Sequence, residues 1–254
     1  MNYIGVKTLA LKEIKRSLSG PTQTLGGPIV SALMFFVIFG QAVGGRLGDI
    51  QGIAYPAFIM PGLVMMNILT TAFQGVGFAV MFQRIVGRTI NDLLISPMSY
   101  AEIAAGFLLA SLVRSAVVGG LIFVTGLLFV PVHIDHPLFL LVFTVLVAIT
   151  FSSLGFIAGL WAKNFEQISI IPTFVIMPLS FLGGIFYSSE MLPPIARMIA
   201  VYNPVYYMIN GMRYGFYGIS DVSITVACTI VLILAAVSLG VVWQMLRVGY
   251  NLKS

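Results

Sequence analysis

Apolar residues run along this chain in long blocks separated by short polar ones, and the blocks are long enough to cross a membrane. Six are predicted as helical spans, at 25–44, 56–80, 101–130, 137–162, 167–187 and 222–246, since about 20 residues of helix cover a bilayer core. A different pattern precedes them. On a helical wheel of residues 3–18, Ile4, Ala10, Leu11, Ile14 and Leu18 share one side, with Lys12, Glu13, Lys15 and Arg16 on or bordering the other. Lys7 falls among the apolar positions, where a lysine near an interface can snorkel. This predicts an amphipathic helix lying in the interface; a basic topogenic tail is the plainer alternative.

The stretch from Pro178 to Tyr217 breaks the block pattern. Gly183-Gly184, Ser188-Ser189-Glu190 and Pro193-Pro194 interrupt an apolar segment before it completes a clean span. Two short helices are predicted next. Leu192, Ile195, Ile199 and Tyr202 recur at helical spacing behind Pro194, which sits where a first-turn proline is tolerated. Asn203-Pro204 then reads as an N-cap followed by a proline at the first helical position. In that second helix Val205, Met208, Ile209, Met212 and Phe216 line one face, and Tyr206, Asn210, Arg213 and Tyr217 the other. Broken backbone at membrane depth survives only where protein or a water-filled cavity surrounds it. The stretch therefore reads as a re-entrant or interfacial element at a pathway.

Composition supports an all-α integral membrane protein. Hydrophobic residues make up 59% of the chain and charged residues 8%, against roughly 25% charged in soluble domains. The 254 residues leave room for six helices in a single transmembrane domain, 1–254. A net charge of +5 then reflects loop bias and not nucleic acid. Lys7, Lys12, Lys15, Arg16, Arg84, Arg88, Lys163, Arg247 and Lys253 fall on one side of the predicted topology, and Arg46, Arg197 and Arg213 on the other. Nine against three places both termini in the cytoplasm. Residues 1–24 are basic and polar without an apolar core, so no cleavable signal peptide is expected. Cys228, alone in an apolar run, forms no internal disulfide.

The loop 81–100 is short but patterned. Thr89 and Asp92 have capping-box spacing, and Ile90, Leu93 and Leu94 form an apolar patch at i, i+3 and i+4. A cytoplasmic helix with a greasy face calls for something to cover it. Ser99 and Glu102 repeat the capping spacing, and starting a helix is a sufficient reason for that pair.

Several of these segments resemble one family, the ATP-binding cassette type-2 transporter permeases. Phe181-Leu182-Gly183-Gly184-Ile185-Phe186, Leu192-Pro193-Pro194, Tyr202-Asn203-Pro204 and Met212-Arg213 are similar to its terminal signature, between the fifth and sixth spans. Arg88 to Pro97, with Glu102 following, resembles its ATPase-coupling region. Thr24 to Pro28 and Pro61-Gly62-Leu63 look like its first- and second-span signatures, and residues 107–177 match least. The resemblance implies six spans, short re-entrant outer helices between the fifth and sixth, and assembly of two permease copies with two ATPase subunits. It also implies a cell inner membrane exporter of drug, lipid or polysaccharide-like cargo. Arg88, Ile90, Asp92, Leu93, Leu94, Pro97 and Glu102 would couple to the ATPase. Gly183, Gly184, Pro193, Pro194, Asn203, Pro204, Tyr206, Asn210 and Arg213 would form an outer gate.

No cofactor is expected on this chain. It has no glycine followed by lysine, so the phosphate-cradling G-x-x-x-x-G-K-[ST] is absent, and ATP and Mg would belong to the partner subunit. His133 and His136 flank Asp135 in a turn before Pro137, which reads as a solvated turn and not a metal site. No catalytic motif is present, which makes a membrane-embedded transferase or protease a third reading. An ATP-independent secondary transporter or channel is the alternative, weakened because Arg114 is nearly alone as a charge within the spans. Arg114 lies roughly 20 Å along its predicted span, with no acidic residue at a matching depth; it is expected to face the bundle interior or a seam between two copies. Tyr187, Tyr202, Tyr206, Tyr207, Tyr214 and Tyr217 read as an interfacial belt, or as a platform for a sugar or flat drug.

Overall fold

The computed structural model describes residues 2–20, 22–44, 48–85 and 95–251. Among these described residues, four helices are long and apolar enough to cross a membrane: α3 (Tyr55–Ile85), α4 (Tyr100–Leu127), α5 (Pro137–Trp161) and α10 (Ile224–Val248). They match the predicted blocks within a few residues. The ends follow capping chemistry. Ser99 and Glu102 make the capping box, with Ser99 N donating to Glu102 Oε2 at 2.7 Å. Gly218 (φ +67) and Gly249 (φ +70) close α9 (Pro204–Tyr217) and α10 in the left-handed conformation glycine tolerates.

The other two predicted spans are shorter and irregular. At 25–44 the helix α2 (Gly27–Phe35) is flanked by π-helical stretches at Thr22–Gly26 and Phe36–Val43. The block at 167–187 is corrected more strongly. It forms α6 (Phe165–Ile171), a π-helical stretch Pro172–Ile176 and α7 (Met177–Phe181), and ends there. Pro172 and Pro178 each withdraw a helical donor, and Gly184 turns the chain at φ +85. The apolar helix 165–181 thus rises only about 25 Å.

Helix α3 is the centre of the fold. It packs along α4 and α5 and touches α9; 72% of its most apolar window is buried, against 22% for α10. A helix apolar all round suits that position. Small residues set the α3–α5 approach. A Cβ on Gly155 would run into Phe73 O, and one on Gly159 would stand 2.7 Å from Gly77 O, so the two backbones nearly touch. Ser111 Oγ donates to Ala72 O at 3.0 Å and accepts from Ser152 Oγ at 2.8 Å, joining α3, α4 and α5 by buried hydroxyls.

The loops alternate between two ends. At one, the hairpin of β1 (Asp49–Ile50) and β2 (Ile53–Ala54) reaches Ser188 and Asp221 through Gln51, and the amides of Asp135 and His136 donate to the carbonyls of Phe216 and Gly215. At the other, Asn2 meets Pro97, Arg84 donates to the carbonyls of Leu160 and Ala162, and Asn251 Nδ2 reaches Leu160 O at 3.2 Å. Helix α1 (Tyr3–Leu18) lies against α4. The face it packs against the protein lies largely outside its hydrophobic stripe. Val6, Leu9, Ala10 and Glu13 are covered, while Ile4 (80% exposed) and Leu11 face outward. The reason is local: Gly106 leaves a notch that Leu9 fills, and Gln83 Nε2 reaches Glu13 Oε1 at 2.6 Å.

Candidate functional site

The broken segment is held together by α9. Asn203 starts it with its side chain used twice, Oδ1 accepting from Val205 N at 2.9 Å and Nδ2 donating to Leu179 O at 2.6 Å. The second bond satisfies a carbonyl orphaned where α7 stops short. Pro61 makes a similar demand inside α3, because it offers no N–H to the Ala57 carbonyl one turn earlier. Tyr217 supplies the missing donor, its hydroxyl lying 3.0 Å from Ala57 O. Tyr217→Phe is expected to cost about 1–3 kcal/mol by leaving that carbonyl unpaired, read as a lower thermal midpoint with the fold retained.

Arg213, on α9, has no exposed side-chain surface. Its Nη2 donates to Gly184 O at 2.6 Å, its Nη1 to Asn210 Oδ1 at 3.4 Å, and its guanidinium carbon stands 3.9 Å from the centre of the Phe58 ring. The counter-charge is Asp221, whose Oδ2 lies 4.0 Å from Arg213 Nη1. Asp221 is the hub of the region. Its Oδ1 accepts from Gln51 Nε2 at 2.8 Å and Ser188 Oγ at 3.0 Å, and its Oδ2 from Ser189 N at 2.8 Å. Its own amide donates to Asn210 Oδ1 at 3.0 Å. One carboxylate therefore joins the hairpin, the 188–189 turn, α9 and the approach to α10. Gln51 sits at φ +52, a conformation that a non-glycine residue holds only when its surroundings enforce it.

Gly183, Gly184, Asn203, Tyr206, Asn210 and Arg213 are thus brought together in one buried knot, while Pro193 and Pro194 stay exposed. Pro204 lines a neighbouring apolar cavity of about 380 Å³ with Phe73, Phe151, Trp161 and Val175. Sequence reasoning missed Asp221, Gln51 and Ser188. The available signal was an acidic side chain at the mouth of an apolar helix, eight residues after an arginine. Arg213, counted with the loop charges by sequence, is in fact a core residue.

One further expectation changes. In and around α8 (Pro194–Val201), Ile195, Ile199 and Tyr202 are exposed, while Ala200 is buried and Leu192 packs against it. The tyrosines do not form a platform: Tyr206 and Tyr207 are core residues, Tyr217 is bonded to Ala57, and Tyr214 stacks on His136 at 4.7 Å. His133 lies 3.6 Å from Asp135 Oδ1 and is largely exposed.

At the opposite end, Arg88, Ile90, Asp92, Leu93 and Leu94 lie outside the described residues. Pro97 accepts from Asn2 Nδ2 at 3.4 Å, and Glu102 takes the Asn2 amide as well as the Ser99 amide. Glu102 therefore ties the start of α1 to the start of α4. Arg114 lines a cleft with Glu13, Arg16 and Ser17, facing α1.

Four long apolar helices with large apolar side chains exposed along their outer faces, around a polar knot of broken backbone, define a multi-pass membrane protein of the all-α class. The chain belongs to the ABC-2 type transporter family, whose profile matches residues 5–217. It is 37% identical to the inner membrane transport permease YadH of Escherichia coli K12, over 99% of this chain and 98% of that protein. It is also 27% identical to nodulation protein J of Rhizobium leguminosarum bv. viciae, over 84% of this chain and 78% of that protein. The family is that of a membrane transport permease working within an ATP-binding cassette system.

Proposed function

We propose that this chain is the permease subunit of an exporter in the bacterial cytoplasmic membrane, driven by ATP and Mg bound to a separate ATPase subunit. The observation that carries this reading is the 37% identity to a transport permease over nearly the full length of both chains. Two copies would assemble, each with six spans: the four long helices plus the shorter apolar helices 24–40 and 165–181. Both termini would face the cytoplasm, as the distribution of loop Lys and Arg suggests, nine against two once the buried Arg213 is set aside. The cargo would be drug, lipid or polysaccharide-like.

In this reading the ATPase presses on residues 88–97. Pro97 and Glu102 pass the displacement to α1 and α4 through their bonds to Asn2. The Arg213–Asp221 knot would stand at the outer side and hold the 184–221 segment as a unit, so that it moves as one body. Coupling of that kind requires two arrangements with different contacts, and the single-carboxylate hub offers one place where contacts can be exchanged together.

Co-expression with a candidate ATPase from the same genome tests the reading. A complex that survives mild detergent and hydrolyses ATP is expected, and replacement of Ile90, Leu93 and Leu94 by aspartate should abolish it while leaving the permease intact. Failure to associate with any such ATPase would overturn the proposal in favour of an ATP-independent transporter.

A further inference from the structure

Where α4 and α10 run side by side, they do not close on each other. Helix α10 packs along α5 and α9 and only lightly on α4, and the positions that face α4 and α10 across the gap are short of side chain. On α4, Ala101, Ala104, Ala105 and Leu108 recur at i, i+3, i+4 and i+7, which is one stripe of a helix. The opposing stripe of α10 carries Gly240, where nothing lies within 4 Å of a Cβ position. Between the two is a groove of about 440 Å³, within the size range of ligand sites. Its floor at Val242 and Leu246 is buried, while Tyr100 and Trp243 at its rim are 40% and 49% exposed. Helix α1 does not fill it, because Leu9 packs at Gly106, on the far side of α4 from the alanines.

We propose that this groove holds one acyl chain of a phospholipid from the leaflet at that end, with the lipid phosphate at Arg247. Water is a poor occupant, since apolar walls offer it no partners, whereas hydrocarbon supplies the dispersion contacts that the walls lack. The groove follows α4 from Tyr100 to Leu108, roughly 12 Å of helix. That length lies within one leaflet of a bilayer core about 30 Å thick. The charge at its end agrees with such a lipid. Arg247 follows Trp243 by four residues and Gly240 by seven, so it continues the α10 stripe one turn beyond the groove. It is exposed and has no hydrogen bond or ion pair among the described residues. A guanidinium pairs with a phosphate through two parallel bonds. Tyr100 and Trp243 border the mouth on the Arg247 side, as aromatic side chains do at headgroup level.

The chain has two tryptophans, Trp161 and Trp243, so in a Trp161→Phe background Trp243 alone reports on the groove. The full chain, purified in a maltoside detergent and stripped of lipid, is titrated with phosphatidylglycerol brominated on its acyl chains, and quenching of Trp243 fluorescence is followed. Saturable quenching is expected. Gly240→Leu, which fills the groove and leaves every charge in place, should raise the lipid needed for half-quenching about tenfold. Arg247→Gln should raise it about fivefold, the share of one basic residue near an anionic headgroup, with Arg247→Lys close to the parent chain. Brominated diacylglycerol, which lacks the phosphate, should bind no better to the parent chain than to Arg247→Gln. A chain carrying Trp243→Phe instead reads lipid that merely coats the protein, and quenching of its Trp161 should not respond to Gly240→Leu. Unchanged half-quenching of Trp243 in Gly240→Leu would overturn the groove as a lipid site, and no effect of Arg247→Gln would overturn the placement of the phosphate. A dimer that Gly240→Leu breaks, with quenching unaltered, would make the groove a seam between copies. The assay contains no ATPase, so its outcome is independent of the exporter reading.

Discussion

Asp221→Ala is expected to be the most damaging substitution at a residue outside the apolar core. It removes the counter-charge of Arg213 and at once frees Gln51, Ser188 and Ser189 N. Breaking a buried pair from one side costs about 3–5 kcal/mol, because the remaining charge stays buried and unpaired. At about 2–4 °C per kcal/mol for a chain of this size, the midpoint should fall by roughly 6–20 °C. Size-exclusion of heated, detergent-solubilised protein reads this directly. Asp221→Asn should fall less, since the amide oxygen still accepts a bond. A combined Arg213→Met and Asp221→Leu variant should regain part of the loss, because an apolar pair of similar size removes the stranded charge. If Asp221→Ala kept the wild-type midpoint, the hub would be a surface contact and its role in holding the 184–221 segment would fail.

Gly155→Leu should rank next, by a different mechanism. At Gly155 the backbone of α3 occupies the space a side chain needs, and Gly77 and Gly159 share the same crossing. A leucine would force α3 and α5 apart, at or above the upper end of the about 1–3 kcal/mol that overpacking usually costs. The effect should spread, because Ser111 and Ser152 share a hydroxyl bond that links α4 and α5 beside the crossing. Gly240→Leu in α10 is the matched control, since nothing lies within 4 Å of its Cβ position. A drop in folded yield at Gly155 without one at Gly240 would tie the loss to the crossing. Equal behaviour would mean that the two helices can slide to accept the side chain.

The sequence was most informative where one segment answers to its own chemistry. The four long helices could be read from blocks of apolar residues, because a bilayer imposes a length on any helix that crosses it. The caps at Ser99 and Asn203 could be read because the bonds they make are local. The break at Gly183-Gly184 and the restart at Pro204 were legible for the same reason. Membership of the transporter family rested on motifs, which are strings of residues and need no coordinates.

Tertiary structure decided whatever depends on a partner distant in sequence. The hub that Asp221 makes with Arg213 and Gln51 spans 170 positions in one of its bonds, from Gln51 to Asp221, and no periodicity reports that. Which face of α1 is buried was set by a notch at Gly106 and an amide at Gln83, against the hydrophobic stripe of α1 itself. Tyr206 and Tyr207, read as part of a belt, are core residues because α9 is enclosed by α3, α5 and α10. Hydropathy places a helix in the membrane, and only the neighbours it meets decide which of its faces and charges are satisfied.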